Sequence, residues 1–184
     1  GGEESLRATP IPPRRADGFL LGASLESVEL AARLDWNFVF AAHLNGDKTL
    51  LREVLTRWRA LSRRDAIIAI QVIVAEESAT AIELAKQIEI WGVELENGQR
   101  VTVGSEAQAA AFARQAGSPP VRIARREASL LAGTADEVKA QLDALHAAWH
   151  IDEFIIDTPI AEGQARLDSL RLLAQAHLGA EVLP

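Results

Sequence analysis

The sequence predicts an α/β fold built on a parallel sheet. Three segments are apolar runs without the polar alternation of a half-exposed strand: Phe19 to Leu21, Phe38 to Ala42 and Ala66 to Ala75. Amphipathic helical patterns lie between these runs. Strands that alternate with helices at this interval are joined by right-handed crossovers, so neighbouring strands are expected to be parallel.

Composition and charge limit the classes of function. The chain has 184 residues, of which 48% are hydrophobic and 24% charged, as is typical of one soluble globular domain. Its formal net charge of -7 gives no electrostatic reason to bind nucleic acid or an anionic membrane. No apolar run reaches the roughly 20 residues that span a bilayer. The sequence has no cysteine, which excludes disulfides and thiolate chemistry and fits a cytoplasmic protein.

The chain begins with a predicted arm over Gly1–Asp17, where Pro10, Pro12 and Pro13 interrupt regular structure. The α/β domain is predicted to occupy residues 18–184. Within it, residues 91–129 lack clear periodicity apart from an alanine-rich helical pattern at Ser105 to Gly117. This stretch predicts an irregular insertion, such as a lid or an added subdomain.

The remaining elements follow from helical or strand periodicity. A capping box formed by Thr134 and Glu137 marks the start of one helix, which continues past Leu142. The other predicted elements are helices at Lys48 to Leu61, Glu76 to about Ile90 and Gln164 to Leu178, and a strand at Asp152 to Ile160.

The turn after the first strand is the first candidate site. Gly22 ends the strand, Ser24 lies where a helix N-cap belongs, and Ser27 lies one turn further along. Because the first turn of a helix presents unpaired N–H groups, this turn can hold an anion such as a phosphate. A plain N-cap also explains Ser24, and serine caps are far commoner than phosphate sites, so the local sequence leaves both interpretations open and favours the cap.

Residues 21–43, LGASLESVELAARLDWNFVFAAH, resemble the central segment of the bacterial luciferase-like flavin-dependent monooxygenases, which often reads LGSSxxSAxLAAxLGLPFAFAxHF. In that family the segment is the fifth strand, the next helix and the sixth strand of a (β/α)8 barrel. The last strand, DEFIIDTPI, and the last helix, ARLDSLRLLAQA, also resemble the family, in the same order. The resemblance implies a partial (β/α)8 TIM barrel, in which this chain supplies the last four strands.

The resemblance also implies a site for reduced FMN, which with O2 oxygenates a small organic substrate. The family's catalytic histidine belongs to the absent half of the barrel, so no catalytic residue is assigned in this chain. Ala42 stands where the luciferases carry a tryptophan, which predicts a looser pocket. The implied phosphate contacts are Ser24 and Ser27, with Gly22 and Ala23 bringing the backbone close, and the residues near the flavin ring are Phe40, Ala41 and Ala42.

Other candidates are polar residues at the ends of strands or on helices. His43 is either a flavin or substrate contact or a surface histidine at the rim, where barrel active sites gather. Thr158 lies at the functional end of the last strand and is a candidate ligand contact. The basic pair Arg125-Arg126 either holds an anion or forms a solvated surface. His146 and His150 lie four residues apart but lack a third ligand, so no metal site is predicted.

A half-barrel is expected to associate with a second half. Four parallel strands leave two open edges and one uncovered face. A homodimer or a complementary N-terminal half-barrel would cover them. The alternative to a monooxygenase is a non-catalytic subunit that binds flavin or another chain without turnover.

Overall fold

The structure is a computed structural model that describes residues 16–43, 47–126 and 130–179. Of the predicted N-terminal arm, only residues 16 and 17 lie within the described part. None of the described helices is long and apolar enough to cross a membrane. In chain order the elements are β1 (Phe19–Gly22), α1 (Leu25–Leu34), β2 (Asn37–Ala41), α2 (Lys48–Leu61), β3 (Ile67–Val74), α3 (Ser78–Lys86), β4 (Ile90–Leu95), β5 (Arg100–Val103), α4 (Glu106–Ala116), β6 (Pro120–Arg126), β7 (Leu130–Gly133), α5 (Ala135–Trp149), β8 (Glu153–Asp157) and α6 (Gly163–Leu178).

The main sheet is parallel and centres on β3. β1 pairs with β2, and β2 pairs with the first half of β3. β8 pairs with the same half of β3 on the opposite edge, because Ile67 is aligned both with Val39 of β2 and with Glu153 of β8. β7, which the sequence did not predict, pairs with the second half of β3. The parallel sheet with intervening helices confirms the predicted α/β class.

One face of the main sheet is buried under helices. Successive side chains of a strand point to opposite faces, so Phe38 and Phe40 share this face of β2. They form one hydrophobic core with Ile68 of β3 and Trp58 of α2. The rings of Phe38 and Trp58 lie 5.7 Å apart, centroid to centroid. The other helices that cover this face contribute Val28 of α1, Val138 of α5 and Leu173 of α6.

The opposite face of the main sheet is called the open face below. Residues aligned across a parallel sheet point the same way, which places on this face Phe19, Leu21, Val39, Ala41, Ile67, Ala69 and Ile155. Val39, Ile67 and Ala69 are buried in a small cluster. Around them, Phe19 and Leu21 are each 54% exposed and Ile155 is 45% exposed. An apolar patch of this kind is typical of a surface that contacts another protein segment.

Residues 90–126 form a second, antiparallel sheet in the order β5-β4-β6, called the small sheet below. Helix α4 packs on one of its faces, where Val93 and Leu95 of β4 form a core with Ala109. The prediction of an irregular insertion over residues 91–129 is therefore wrong for the described part of that stretch. The helical pattern within it is confirmed, because α4 begins after the N-cap Ser105 and ends at Gly117, whose φ is +61°.

The small sheet was not predicted from the sequence because its strands carry charged side chains. β6 carries Arg122, Arg125 and Arg126, so its sequence resembles an exposed loop. The helix predicted to reach about Ile90 ends at Lys86, because Ile90 pairs with Arg126 as the first residue of β4. Strand pairing between distant segments overrides local helical periodicity here.

Candidate functional site

The turn between β1 and α1 places Ser24 at the N-cap of α1. The backbone N–H of Ser27 donates to Ser24 Oγ at 3.3 Å, and the two hydroxyl oxygens are 3.2 Å apart. Gly22 permits this arrangement, because a Cβ at that position would lie 2.4 Å from both Cβ and Oγ of Ser27. The N-cap interpretation of Ser24 is confirmed, whereas the anion-binding interpretation stays a prediction.

Glu26 shows that this turn stabilises negative charge. Hydrogen bonds from its own backbone N–H and from the Ser24 hydroxyl lower the pKa of the Glu26 carboxyl below the ordinary value, and desolvation only partly opposes them. The positive end of the α1 dipole acts in the same direction. These donors are of the kind that a bound phosphate requires.

A cavity of about 790 Å³ lies in front of this turn. Its two sides come from different parts of the fold, since the β1–α1 turn forms one side and the small sheet forms the other. Guanidinium groups and backbone N–H donors facing one space suit a phosphate or another oxyanion. The side chains that give the cavity this character are those of Ser24 on the first side and of Arg100, Thr102 and Arg126 on the second. The carboxylate of Glu26 also lines the first side.

Phe40, Ala41 and Ala42 lie at the carboxyl end of β2, but their side chains do not share a face. Phe40 is 1% exposed and Ala42 is 7% exposed, and both belong to the core under the helices. Ala41 is aligned with Ala69 on the open face. Ala41 is itself 0% exposed, so none of these three residues is open to a ligand in the described part of the chain, and their contact with a flavin ring stays a prediction.

A second cavity, of about 350 Å³, includes His43, Gln71 of β3 and Pro159 after β8. His43 Nδ1 lies 3.4 Å from the carbonyl oxygen of Ala69. Parallel α/β sheets bind ligands at the carboxyl ends of their strands, and this cavity lies at those ends of β2 and β8, beside the middle of β3. The predicted rim position of His43 thus coincides with a space that can hold a ligand.

Gln71 and Asp157 form a polar pair at the same end of the sheet. Gln71 Nε2 donates to Asp157 Oδ2 at 2.9 Å. A carboxylate only accepts hydrogen bonds, so this contact fixes the orientation of the Gln71 amide and leaves its Oε1 as an acceptor. Within the described part of the chain, Oε1 of Gln71 and Oγ1 of Thr158 are buried without a hydrogen-bond partner. Such orphaned atoms favour contact with a group outside this chain.

Sequence reasoning missed two residues of these cavities. Gln71 had a local signal, because it is the one polar residue of β3, IIAIQVIV. Arg100 had none, since only the antiparallel pairing of β5 with β4 brings it to the first cavity. The two arginines of the basic pair have different surroundings. Arg126 lines the first cavity, whereas Arg125 forms an ion pair with Glu89 at 3.6 Å.

The two histidines considered for a metal have local structural partners. His146 Nδ1 lies 2.8 Å from the carbonyl oxygen of Ile151, and His150 ends α5 with a φ of 52°. Across residues 16–43, 47–126 and 130–179, no three His, Asp or Glu side chains are grouped as metal ligands.

Comparison with known proteins relates the chain to monooxygenases. No family model matches it. The N-acetyl-S-alkylcysteine monooxygenase of Bacillus subtilis (strain 168) is 33% identical over 181 residues, which are 96% of this chain and 54% of that protein. The uncharacterized protein YwcH of the same organism is 28% identical over 179 residues, which are 94% of this chain and 53% of that protein. The chain thus spans about half the length of the curated relatives that it matches.

Solved structures with a similar fold are also found. Apo-MsnO8 matches with a TM-score of 0.64 and 22% identity, over 94% of this chain and 54% of that protein. A type II Baeyer–Villiger monooxygenase of Pseudomonas putida, solved in complex with FMN, matches with a TM-score of 0.54 and 16% identity, over 90% of this chain and 48% of that protein. At these identities the likeness concerns the fold alone. Together with the Bacillus relative it supports the luciferase-like resemblance.

Proposed function

We propose that the chain is the C-terminal half of a luciferase-like flavin-dependent monooxygenase, with β1, β2, β3 and β8 as the last four strands of a (β/α)8 barrel. The order and direction of these strands support the assignment. The matched relatives are about twice as long as the matched region, which leaves room in them for another half of similar size.

The observation that carries the functional proposal is the anion-binding geometry of the β1–α1 turn. Ser24, Ser27 and the first N–H groups of α1 would hold the FMN phosphate, and the lowered pKa of the Glu26 carboxyl supports the suitability of this turn for a negative group. The residues present therefore fit the phosphate end of FMN. Reduced FMN, when bound, supplies the reaction with O2 in which one oxygen atom enters the substrate and the other leaves as water.

The chain's own contribution is binding, orientation and exclusion of water. Exposed apolar side chains of the open face, such as Leu21, would form one wall of the flavin pocket. Gln71 Oε1 would accept a hydrogen bond from an N–H or O–H group of the flavin or substrate, with its orientation fixed by Asp157. His43 and Thr158 lie at the same end of the sheet and are proposed as further ligand contacts.

The open face is proposed to pack against the N-terminal half of the barrel. Leu21 and Ile155 lie on this face and are about half exposed, and β1 and β8 each leave one edge unpaired within the described sheet. A complementary half-barrel would cover the apolar face and pair both edges at once. A second copy of this chain is the competing occupant. Catalysis is proposed to require the completed barrel.

A non-catalytic flavin-binding subunit is the second candidate function. It is favoured by the location of the phosphate-binding turn on a chain that spans only about half of its relatives. On this proposal the chain binds FMN and pairs with another half, but it supports no turnover.

The first test is a fluorescence titration of the chain with FMN. The double variant Ser24→Ala/Ser27→Ala should weaken FMN binding on the order of tenfold to a hundredfold, because hydrogen bonds to a charged group are lost. Ser105→Ala is the matched control, since Ser105 caps α4 with nearly the same backbone geometry but is not one of the residues that line this cavity. Equal FMN affinity of the wild type and the double variant would contradict the assigned site.

The second test separates the two functions. The chain is mixed or coexpressed with the first half of a luciferase-like monooxygenase and supplied with a flavin reductase, NADH, O2 and an N-acetyl-S-alkylcysteine, the compound class named for the Bacillus relative. Product formation above the uncoupled background supports the monooxygenase. FMN binding and half-barrel association without product support the non-catalytic subunit.

A further inference from the structure

We infer that Arg126 of the small sheet is a phosphate-binding residue that makes this site select FMN over riboflavin, the flavin without a phosphate. The inference rests on the proposed FMN site. It adds a residue from the insertion, outside the segment whose sequence resembles the luciferase-like family. A guanidinium suits the task because it can donate two parallel hydrogen bonds to phosphate oxygens.

The register of the small sheet places Arg126 on the cavity side. Ile90 is aligned with Arg126, Gly92 with Thr102, and Glu94 with Arg100. Alternate residues of β4 point to the same face, so Arg126, Thr102 and Arg100 share one face, and all three line the cavity in front of Ser24. The other face of β4 packs on α4.

Gly92 provides the space in which the Arg126 side chain lies. A Cβ at Gly92 would be 2.2 Å from Nε and 2.6 Å from Cζ of Arg126, so the guanidinium lies directly over the glycine. Glycine weakens a strand, and in a strand it often marks a close approach of another group. The group that approaches Gly92 is the cationic end of Arg126.

Of the two arginines that line this cavity, Arg126 has its charge available. Arg100 Nη2 lies 2.6 Å from a Glu94 carboxylate oxygen, and Arg125 pairs with Glu89. The Arg126 side chain has no ion pair or hydrogen bond to another described residue, and the cavity also contains the carboxylate of Glu26. A phosphate that replaces the Glu26 carboxylate on the Ser24 hydroxyl would place its charge in the cavity that Arg126 lines.

The test compares FMN with riboflavin in wild type, Arg126→Gln, Arg126→Lys and Arg125→Gln. Arg126→Gln should weaken FMN binding on the order of tenfold to a hundredfold and leave riboflavin binding unchanged. Arg126→Lys should restore part of the loss, because the charge returns without the paired geometry. Arg125→Gln is the matched control and should bind both flavins as the wild type does. The FMN affinity of Arg126→Gln should also depend less on salt concentration.

A second variant tests the same inference without removing the arginine. Gly92→Ala should displace the flexible Arg126 side chain and weaken FMN binding, with the urea midpoint of unfolding nearly unchanged. Wild-type FMN affinity in Arg126→Gln would overturn the inference, as would an equal loss for FMN and riboflavin. If Ser24→Ala/Ser27→Ala weakens FMN binding while Arg126→Gln does not, the proposed FMN site stands and the role of Arg126 fails. If the wild type does not bind FMN, both fail.

Discussion

The backbone N–H of Val74 donates to Ser169 Oγ at 2.8 Å, which ties the end of β3 to the middle of α6. Ser169 is 1% exposed. Ser169→Ala should lower the free energy of unfolding by about 1–3 kcal/mol, because a buried N–H loses its acceptor. Urea denaturation measures the change. Ser118→Ala is the control, since Ser118 accepts a comparable bond from the Asn97 N–H at an exposed position and should cost much less. Equal costs at the two positions would contradict the argument.

Gly22→Ala should damage both stability and FMN binding. The added Cβ would lie 2.4 Å from the Ser27 Cβ, which cannot rotate away, so the backbone of the turn must shift. Overpacking of this kind costs about 1–3 kcal/mol. Gly163→Ala is the matched control, because no atom lies within 4 Å of the Cβ that it would add, and it should leave stability equal or slightly increased. Thermal unfolding and FMN titration of both variants test this prediction, and equal results for the two variants would contradict it.

The open face should make the isolated chain associate. Sedimentation across a dilution series is expected to show species larger than the 19.9 kDa monomer, together with binding of an apolar dye. Leu21→Lys/Ile155→Lys should reduce both signals with little loss of secondary structure. Leu167→Lys is the control, because Leu167 is 55% exposed but lies on α6. A stable monomer without dye binding would count against the half-barrel.

The capping box of α5 should make stability depend on pH. The Thr134 N–H and the Ser78 hydroxyl lower the pKa of the Glu137 carboxyl below the ordinary value of 4.5. A lowered folded-state pKa means that this contribution is present above pH 4.5 and is lost as the pH falls through the lower value. Wild type should therefore be more stable than Glu137→Gln at pH 7, and the difference should shrink in acid. A pH-independent difference in urea denaturation would contradict this prediction.

The main sheet apart from β7 could be predicted because the signals of its other strands are local. The apolar residues of β3 indicate a strand buried on both faces, and residues such as Ser24 and Thr134 mark helix starts by side-chain chemistry alone. The small sheet depends instead on pairing between segments such as β4 and β6, which single-segment periodicity does not detect.

The same distinction between local signals and long-range pairing applies to the residues of the candidate site. The serines belong to one short motif and were predicted from it. Arg100 and Arg126 reach the same cavity only through the register of the small sheet. The alternation of side chains along β2 shows that Phe40 and Ala41 point to opposite faces of the sheet. It does not show which face the helices cover, because that depends on the whole fold.

The pairing of Ile90 with Arg126 means that the chain enters and leaves the small sheet at adjacent points. A unit attached through two neighbouring strand ends can be exchanged or shortened with little effect on the path of the remaining chain. The small sheet can therefore be exchanged as a unit: on the proposed function, transplanting it between related proteins would alter the preference for charged ligands while the strands of the main sheet keep their sequence.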